Sequence, residues 1–131
     1  MTSLTVTPER RPVKIATWKD VPDHVPFAAM VEGIDLVVIR RGHDHSVLYG
    51  RCLHRGALLA DGTCEGDNLL CGLHGWDYRI DTGVSAYNNA EALTKFTSWL
   101  IEDDLVVDLD EVLEFKMRHP QPFDPDVYQG Y

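Results

Sequence analysis

Apolar residues along this chain come in short clusters rather than at helical spacing. Val13 and Ile15 alternate with polar neighbours, and compact runs follow at residues 27–31, 36–39 and 47–49. Each run has strand length, is rich in β-branched or aromatic residues, and is bounded by turn signals such as Glu32-Gly33 and Gly42-His43-Asp44. The pattern returns late in the chain at Leu100-Ile101 and Leu105-Val106-Val107, on either side of Glu102-Asp103-Asp104, which reads as a hairpin turn. Several short strands in succession predict an all-β sandwich or barrel. One segment has a different signature. Asp108 in an N-cap position, Glu111 three residues on and Val107 facing Val112 predict a short C-terminal helix through Leu113, Phe115, Lys116 and Met117, stopped at Pro120.

Between Cys52 and Asn89 the apolar runs give way to glycines at 56, 62, 66, 72, 75 and 83. Loops dominate there, and loops on a rigid scaffold commonly carry function. The organisation that follows is a flexible lead-in over residues 1–12, one domain over 13–118 and a proline-rich tail or linker over 119–131. Within the domain, the glycine-rich part, about residues 51–89, forms a separate loop region. At 131 residues, 44% of them hydrophobic and 25% charged, the chain suits one domain with a core of moderate size.

Charge and cysteine content narrow the chemistry. Twelve Lys and Arg against 21 Asp and Glu give a net charge of −9, which repels phosphate backbones and anionic lipid, so nucleic acid is not expected as a partner. Neither a signal-peptide pattern nor an apolar run of membrane-spanning length is present, so no membrane partner is expected either. The location expected is cytoplasmic. Three cysteines are too few and too odd in number for a disulfide framework, and in a reducing compartment they are available to a metal.

Two of the three stand in a pattern. Cys52-Leu53-His54 is followed, after 16 intervening residues, by Cys71-Gly72-Leu73-His74, so each of two short loops offers one thiolate and one imidazole. Soft thiolate and borderline imidazole ligands suit zinc or an iron–sulfur cluster, not Mg²⁺ or Ca²⁺. Zinc knuckles usually supply like ligands in each arm, and the mixing of Cys with His in both arms differs from that.

The segments Cys52-Leu53-His54-Arg55-Gly56-Ala57 and Cys71-Gly72-Leu73-His74-Gly75-Trp76 resemble the two loops of the Rieske [2Fe-2S] family. The resemblance implies a β-sandwich with an inserted cluster-binding subdomain. It also implies one [2Fe-2S] cluster, with Cys52 and Cys71 on one iron and His54 and His74 on the other. Replacing two thiolates by neutral imidazoles raises the potential above that of all-cysteine ferredoxins. High-potential members of the family carry a disulfide pair where this chain has Ala57 and Leu73, and a serine where it has Trp76. The expected midpoint is therefore low, toward the roughly −150 mV end of the Rieske range, as in the ferredoxin and ring-hydroxylating-oxygenase branch. Tyr78 occupies the position of a family tyrosine that contacts a cysteine sulfur; plain packing in the core is the competing role.

Other residues carry less. Gly56, Gly72 and Gly75 permit close backbone approach to the sulfides. Arg55 either helps to dock a partner or pairs with a nearby acid. Trp18, Trp76 and Trp99 are packing residues by default, and Trp76 can also shield the cluster. Cys64 is left over as a structural or exposed thiol. His43-Asp44-His45 reads as a polar hairpin tip rather than a second metal site. The function implied is one-electron transfer between a reductase and a terminal redox enzyme, with no catalytic residues on this chain. Two alternatives stay open: the N-terminal electron-transfer domain of a longer redox enzyme, such as an oxygenase or a flavin-dependent glutamate-synthase-like protein, and a structural zinc module built on the same four residues. The acidic surface suits a basic docking face on the redox partner, so electron transfer should weaken as salt is added. Histidine ligation adds a midpoint that falls as pH rises through the ionisation of the oxidised form.

Overall fold

A computed structural model describes residues 11–53, 56–72, 77–85 and 91–118. Among the described residues, ten strands and one α-helix follow one another: β1 (Pro12–Thr17), β2 (Phe27–Val31), β3 (Ile34–Arg41), β4 (Asp44–Tyr49), β5 (Thr63–Glu65), β6 (Asn68–Leu70), β7 (Asp77–Arg79), β8 (Lys95–Phe96), β9 (Ser98–Ile101), β10 (Asp104–Asp108) and α1 (Leu109–Arg118). They form three antiparallel sheets, ordered β1-β10-β9, β2-β3-β4-β8 and β5-β6-β7. The first two share one core, in which Ala16, Leu105 and Val107 join Val37, Val38 and Leu48. The third is small and is built entirely from the glycine-rich region.

β3 explains why its apolar run is continuous rather than alternating. It lies inside its sheet, between β2 and β4, and every residue from Ile34 to Ile39 is buried. A strand covered on both faces needs no polar face. One of those six residues is Asp35, a charge inside an apolar strand.

Helix α1 packs against the sheet that contains β4 and β8. The Asp108 carboxylate accepts the Asp110 N–H at 3.0 Å, as an N-cap does. Phe115 packs on Tyr49 and Phe96, with ring centroids 4.9 and 5.6 Å away. Glu111 reaches across and accepts the Thr97 N–H at 2.8 Å, tying the helix to the link between β8 and β9.

Three boundaries differ from the sequence expectation. Arg11 and Pro12 belong to the fold rather than to a lead-in, because the Arg11 carbonyl accepts the Leu109 N–H at 2.8 Å and its guanidinium pairs with Asp110. The late hairpin turns on Glu102-Asp103 alone, with Glu102 at φ 56°, so Asp104 opens β10. The polar tip of the β3–β4 hairpin is likewise two residues, Gly42-His43. Gly42 at φ 65° reverses the chain there, which leaves Asp44 and His45 as strand residues paired with Arg41 and Arg40. His45 Nδ1 lies 2.7 Å from Ser98 Oγ. Residues 1–10 and the tail at 119–131 lie outside the described residues.

Candidate metal centre

The chain leaves β4 through a close passage. Gly50 donates its N–H to the Asp35 carbonyl at 2.8 Å, and a Cβ at Gly50 would sit 2.8 Å from the Leu36 carbonyl carbon. The first cysteine loop begins directly after it, closed at its base by a bridge between Arg51 and Leu58. Within the loop Cys52 donates to the Ala57 carbonyl at 2.9 Å, and Gly56 donates back to the Cys52 carbonyl at 2.7 Å. Gly56 has φ 75°, a left-handed value that glycine adopts without steric cost.

The second loop begins after β6 and lies against the chain that follows the first. A Cβ on Gly62 would fall 1.9 Å from the Leu70 carbonyl oxygen, and one on Gly72 would fall 2.8 Å from the Asp61 carbonyl oxygen. Two glycines therefore let the backbones of the two loop regions touch. This interlock places Cys71, next to Leu70, beside the segment that carries Leu59, which is fully buried.

Cys52 and Cys71 are 1% and 3% exposed, and none of the three cysteines is in a disulfide. Tyr78, on β7, is fully buried, with its hydroxyl 3.4 Å from Cys52 Sγ. The same oxygen accepts the Leu53 N–H at 3.0 Å. With an acceptor site used by that amide, the hydroxyl hydrogen is available to the sulfur. Burial, and then the contact with Cys52, push the phenol well above its ordinary ionisation, so it remains a donor through the physiological range. Replacing Tyr78 by phenylalanine is expected to lower the midpoint by up to about 60 mV, a tenfold change for a one-electron couple. The sign follows because a donor stabilises the more electron-rich sulfur of the reduced state. Protein-film voltammetry of the two proteins checks it, and an unchanged or raised midpoint would contradict the donor role.

Of the candidate cluster-site residues, the structure thus describes Cys52, Gly56, Cys71, Gly72 and Tyr78. His54, Arg55, His74, Gly75 and Trp76 lie outside the described residues. Among the described residues no three metal-binding side chains converge. The donors present nevertheless fit an iron–sulfur group: two buried thiols on interlocked loops, one of them facing the hydroxyl of a buried phenol. Cys64 is half-buried on β5, and burial pushes its thiol ionisation up, as expected of an unreactive thiol. Trp18 is stacked under Arg40, whose guanidinium carbon is 4.3 Å from the ring centroid, in a cation–π contact.

Sequence reasoning missed Arg51 and Asp35. The Arg51 guanidinium donates from Nε to Asp35 Oδ2 and from a terminal nitrogen to the Gly56 carbonyl, both at 2.8 Å. Two signals were available: an acid inside an apolar strand, and a base immediately before a candidate ligand.

A model of the Rieske [2Fe-2S] domain family matches residues 11–97. The chain belongs to the Rieske [2Fe-2S] domain family. Its cofactor is accordingly a [2Fe-2S] cluster. Methylxanthine N1-demethylase of Pseudomonas putida is 40% identical over 53 residues, which are 40% of this chain and 15% of the demethylase. This Rieske chain thus spans well under a fifth of that curated relative. Among solved structures, the ferredoxin of carbazole 1,9a-dioxygenase from Nocardioides aromaticivorans superposes with a TM-score of 0.69 at 24% identity, covering 74% of this chain and 96% of that one. A chain from the complex of reduced oxygenase and oxidised ferredoxin of carbazole 1,9a-dioxygenase gives 0.68 at 24% identity, covering 77% and 95%. These likenesses establish the Rieske ferredoxin fold, all-β with a short C-terminal helix.

Proposed function

We propose that this Rieske chain is a one-electron carrier that takes an electron from a reductase and delivers it to a terminal oxygenase or similar oxidoreductase. Cys52 and Cys71 hold one iron and His54 and His74 the other. The observation that carries the reading is the contact of the buried Tyr78 hydroxyl with Cys52 Sγ, which is useful to a sulfur whose electron density changes. When bound, the cluster supplies a single-electron couple.

The protein's own groups then have distinct tasks. Cys52 and Cys71, both buried, would hold their iron away from water. Tyr78 holds a proton at its oxygen and shares it with Cys52. The interlocked glycine loops fix the distance between the two arms. Without a disulfide beside the first arm, at Ala57, the midpoint lies low, near about −150 mV. The reading places the chain in the cytoplasm, where thiols stay reduced. That the matching solved ferredoxin chain is covered over 96% of its length supports a free-standing carrier.

A second reading has its own support. The match to a demethylase covers 15% of that protein, as an electron-transfer domain at one place in a longer enzyme would. The mass of the native polypeptide in its cell, compared with that of this chain alone, separates the two.

The cluster itself is tested by ultraviolet–visible and EPR spectra of anaerobically purified protein, as isolated and after dithionite. About two irons and two sulfides per chain and an EPR signal that appears only on reduction are expected. A colourless protein carrying zinc would overturn electron transfer in favour of a structural metal module.

A further inference from the structure

An ion pair between Arg51 and Asp35 joins the first ligand loop to β3. Asp35, the second residue of β3, is fixed by the sheet on one side and by Gly50, which bonds to its carbonyl, on the other. The close passage at Gly50 brings Arg51 over Asp35. The Arg51 fork then spans two acceptors, with Nε on Asp35 Oδ2 and a terminal nitrogen on the Gly56 carbonyl. Neither of these is a surface contact: the Arg51 and Asp35 side chains are 18% and 10% exposed. Exposed ion pairs are worth little, but a shielded one is costly to break, because the charge that remains is poorly screened.

The placement matters because Gly56 closes the loop from the opposite side, donating its N–H to the Cys52 carbonyl. One residue therefore has its amide tied to Cys52 and its carbonyl tied to Arg51. Only a planar guanidinium held at one corner reaches both the carboxylate and the carbonyl in this way; a lysine ammonium has no such fork.

We propose that Asp35 and Arg51 are a positioning pair for the cluster: Asp35 aims the Arg51 guanidinium at the Gly56 carbonyl and so fixes the Cys52 loop, and their opposed charges hold the cluster's potential in balance. This rests on the assignment of Cys52 as a ligand. The two halves of the pair act on the potential with opposite sign. Without the Asp35 carboxylate, the Arg51 cation favours the extra electron of the reduced cluster. Without the Arg51 cation, the carboxylate opposes it. A pair that served folding alone, too remote or too screened to act on the cluster's charge, would leave the potential unmoved whichever half was removed.

The test uses the full chain and its Asp35→Asn, Arg51→Gln, Arg51→Lys and Asp35→Asn/Arg51→Gln variants, read by redox titration of the visible spectrum and by the rate of bleaching with an iron chelator. At a fixed ambient potential Asp35→Asn should raise the reduced-to-oxidised ratio about tenfold, or about 59 mV, and Arg51→Gln should lower it by a similar factor. The double variant should return to within about twofold of the parent, since it carries neither charge. Arg51→Lys keeps the charge and loses the fork, so its potential should stay within about twofold while its cluster bleaches several times faster. Shifts of the same sign in the two single variants, or an unshifted potential in both of them, overturn the pair's role. Should a single variant fail to fold with iron, Arg51→Lys decides the positioning role by its bleaching rate, and bleaching at the parent's rate overturns it. The parent spectrum separates the readings: a parent without iron overturns the ligand assignment along with the pair, whereas a normal parent with same-sign shifts overturns the pair alone.

Discussion

Cys52→Ala is expected to yield a colourless protein without iron, while Cys64→Ala keeps the parent's colour and iron content. The two thiols differ in setting. Cys52 is 1% exposed, on a loop closed by two backbone hydrogen bonds, with the Tyr78 hydroxyl at its sulfur. Removing the sulfur takes away one of two anionic ligands, and neutral imidazoles cannot replace its charge on the iron. It also leaves a buried hydroxyl hydrogen without its acceptor, at a cost of about 1–3 kcal/mol. Cys64 lies half-buried on β5, paired with Leu69, and alanine there removes only a small apolar volume. Iron analysis and the visible spectrum decide the matter, with circular dichroism to show that both variants keep their sheets. Iron retained by Cys52→Ala, or lost by Cys64→Ala, would require a different ligand set.

The β character of this Rieske domain was legible because β-branched runs of strand length repeat between turn signals. The positions at which strands begin were less so. At residues 42–45 and 102–104 three or four polar residues in a row suggested long tips, yet two suffice where Gly42 or Glu102 takes a positive φ, and the remaining polar residues extend the strands. The cysteine and histidine spacing pointed to the cofactor directly, since ligands close in sequence share a loop. Asp35 and Arg51 were not legible in the same way. They are 16 residues apart in sequence, and only the passage of Gly50 over β3 makes them neighbours. The same holds for the contact between Gly62 and Leu70, which depends on how two loops cross and leaves no periodic trace.

That contact sets the second large effect. Gly62→Ala would place a methyl carbon 1.9 Å from the Leu70 carbonyl oxygen and 3.2 Å from the Gly72 nitrogen, all of it backbone that no rotamer change can move aside. The second loop must shift by more than an ångström to admit it, and Cys71 lies between the two residues that would be displaced. Overpacking at a rigid site of this kind is expected to cost at least about 3 kcal/mol. In a domain of this size that corresponds to a fall in melting temperature of roughly 10 °C or more. Gly66→Ala is the matched control. It lies in the turn between β5 and β6, at φ 58° with open space around it, so alanine there incurs only left-handed strain of about 1–2 kcal/mol. Thermal melts of the cluster-loaded proteins should therefore place Gly62→Ala well below Gly66→Ala, with faster bleaching in the former because the strain falls on the backbone next to a ligand. Equal melting temperatures would mean that the two loops can separate without loss, and that the spacing between the arms is set elsewhere than at this glycine contact.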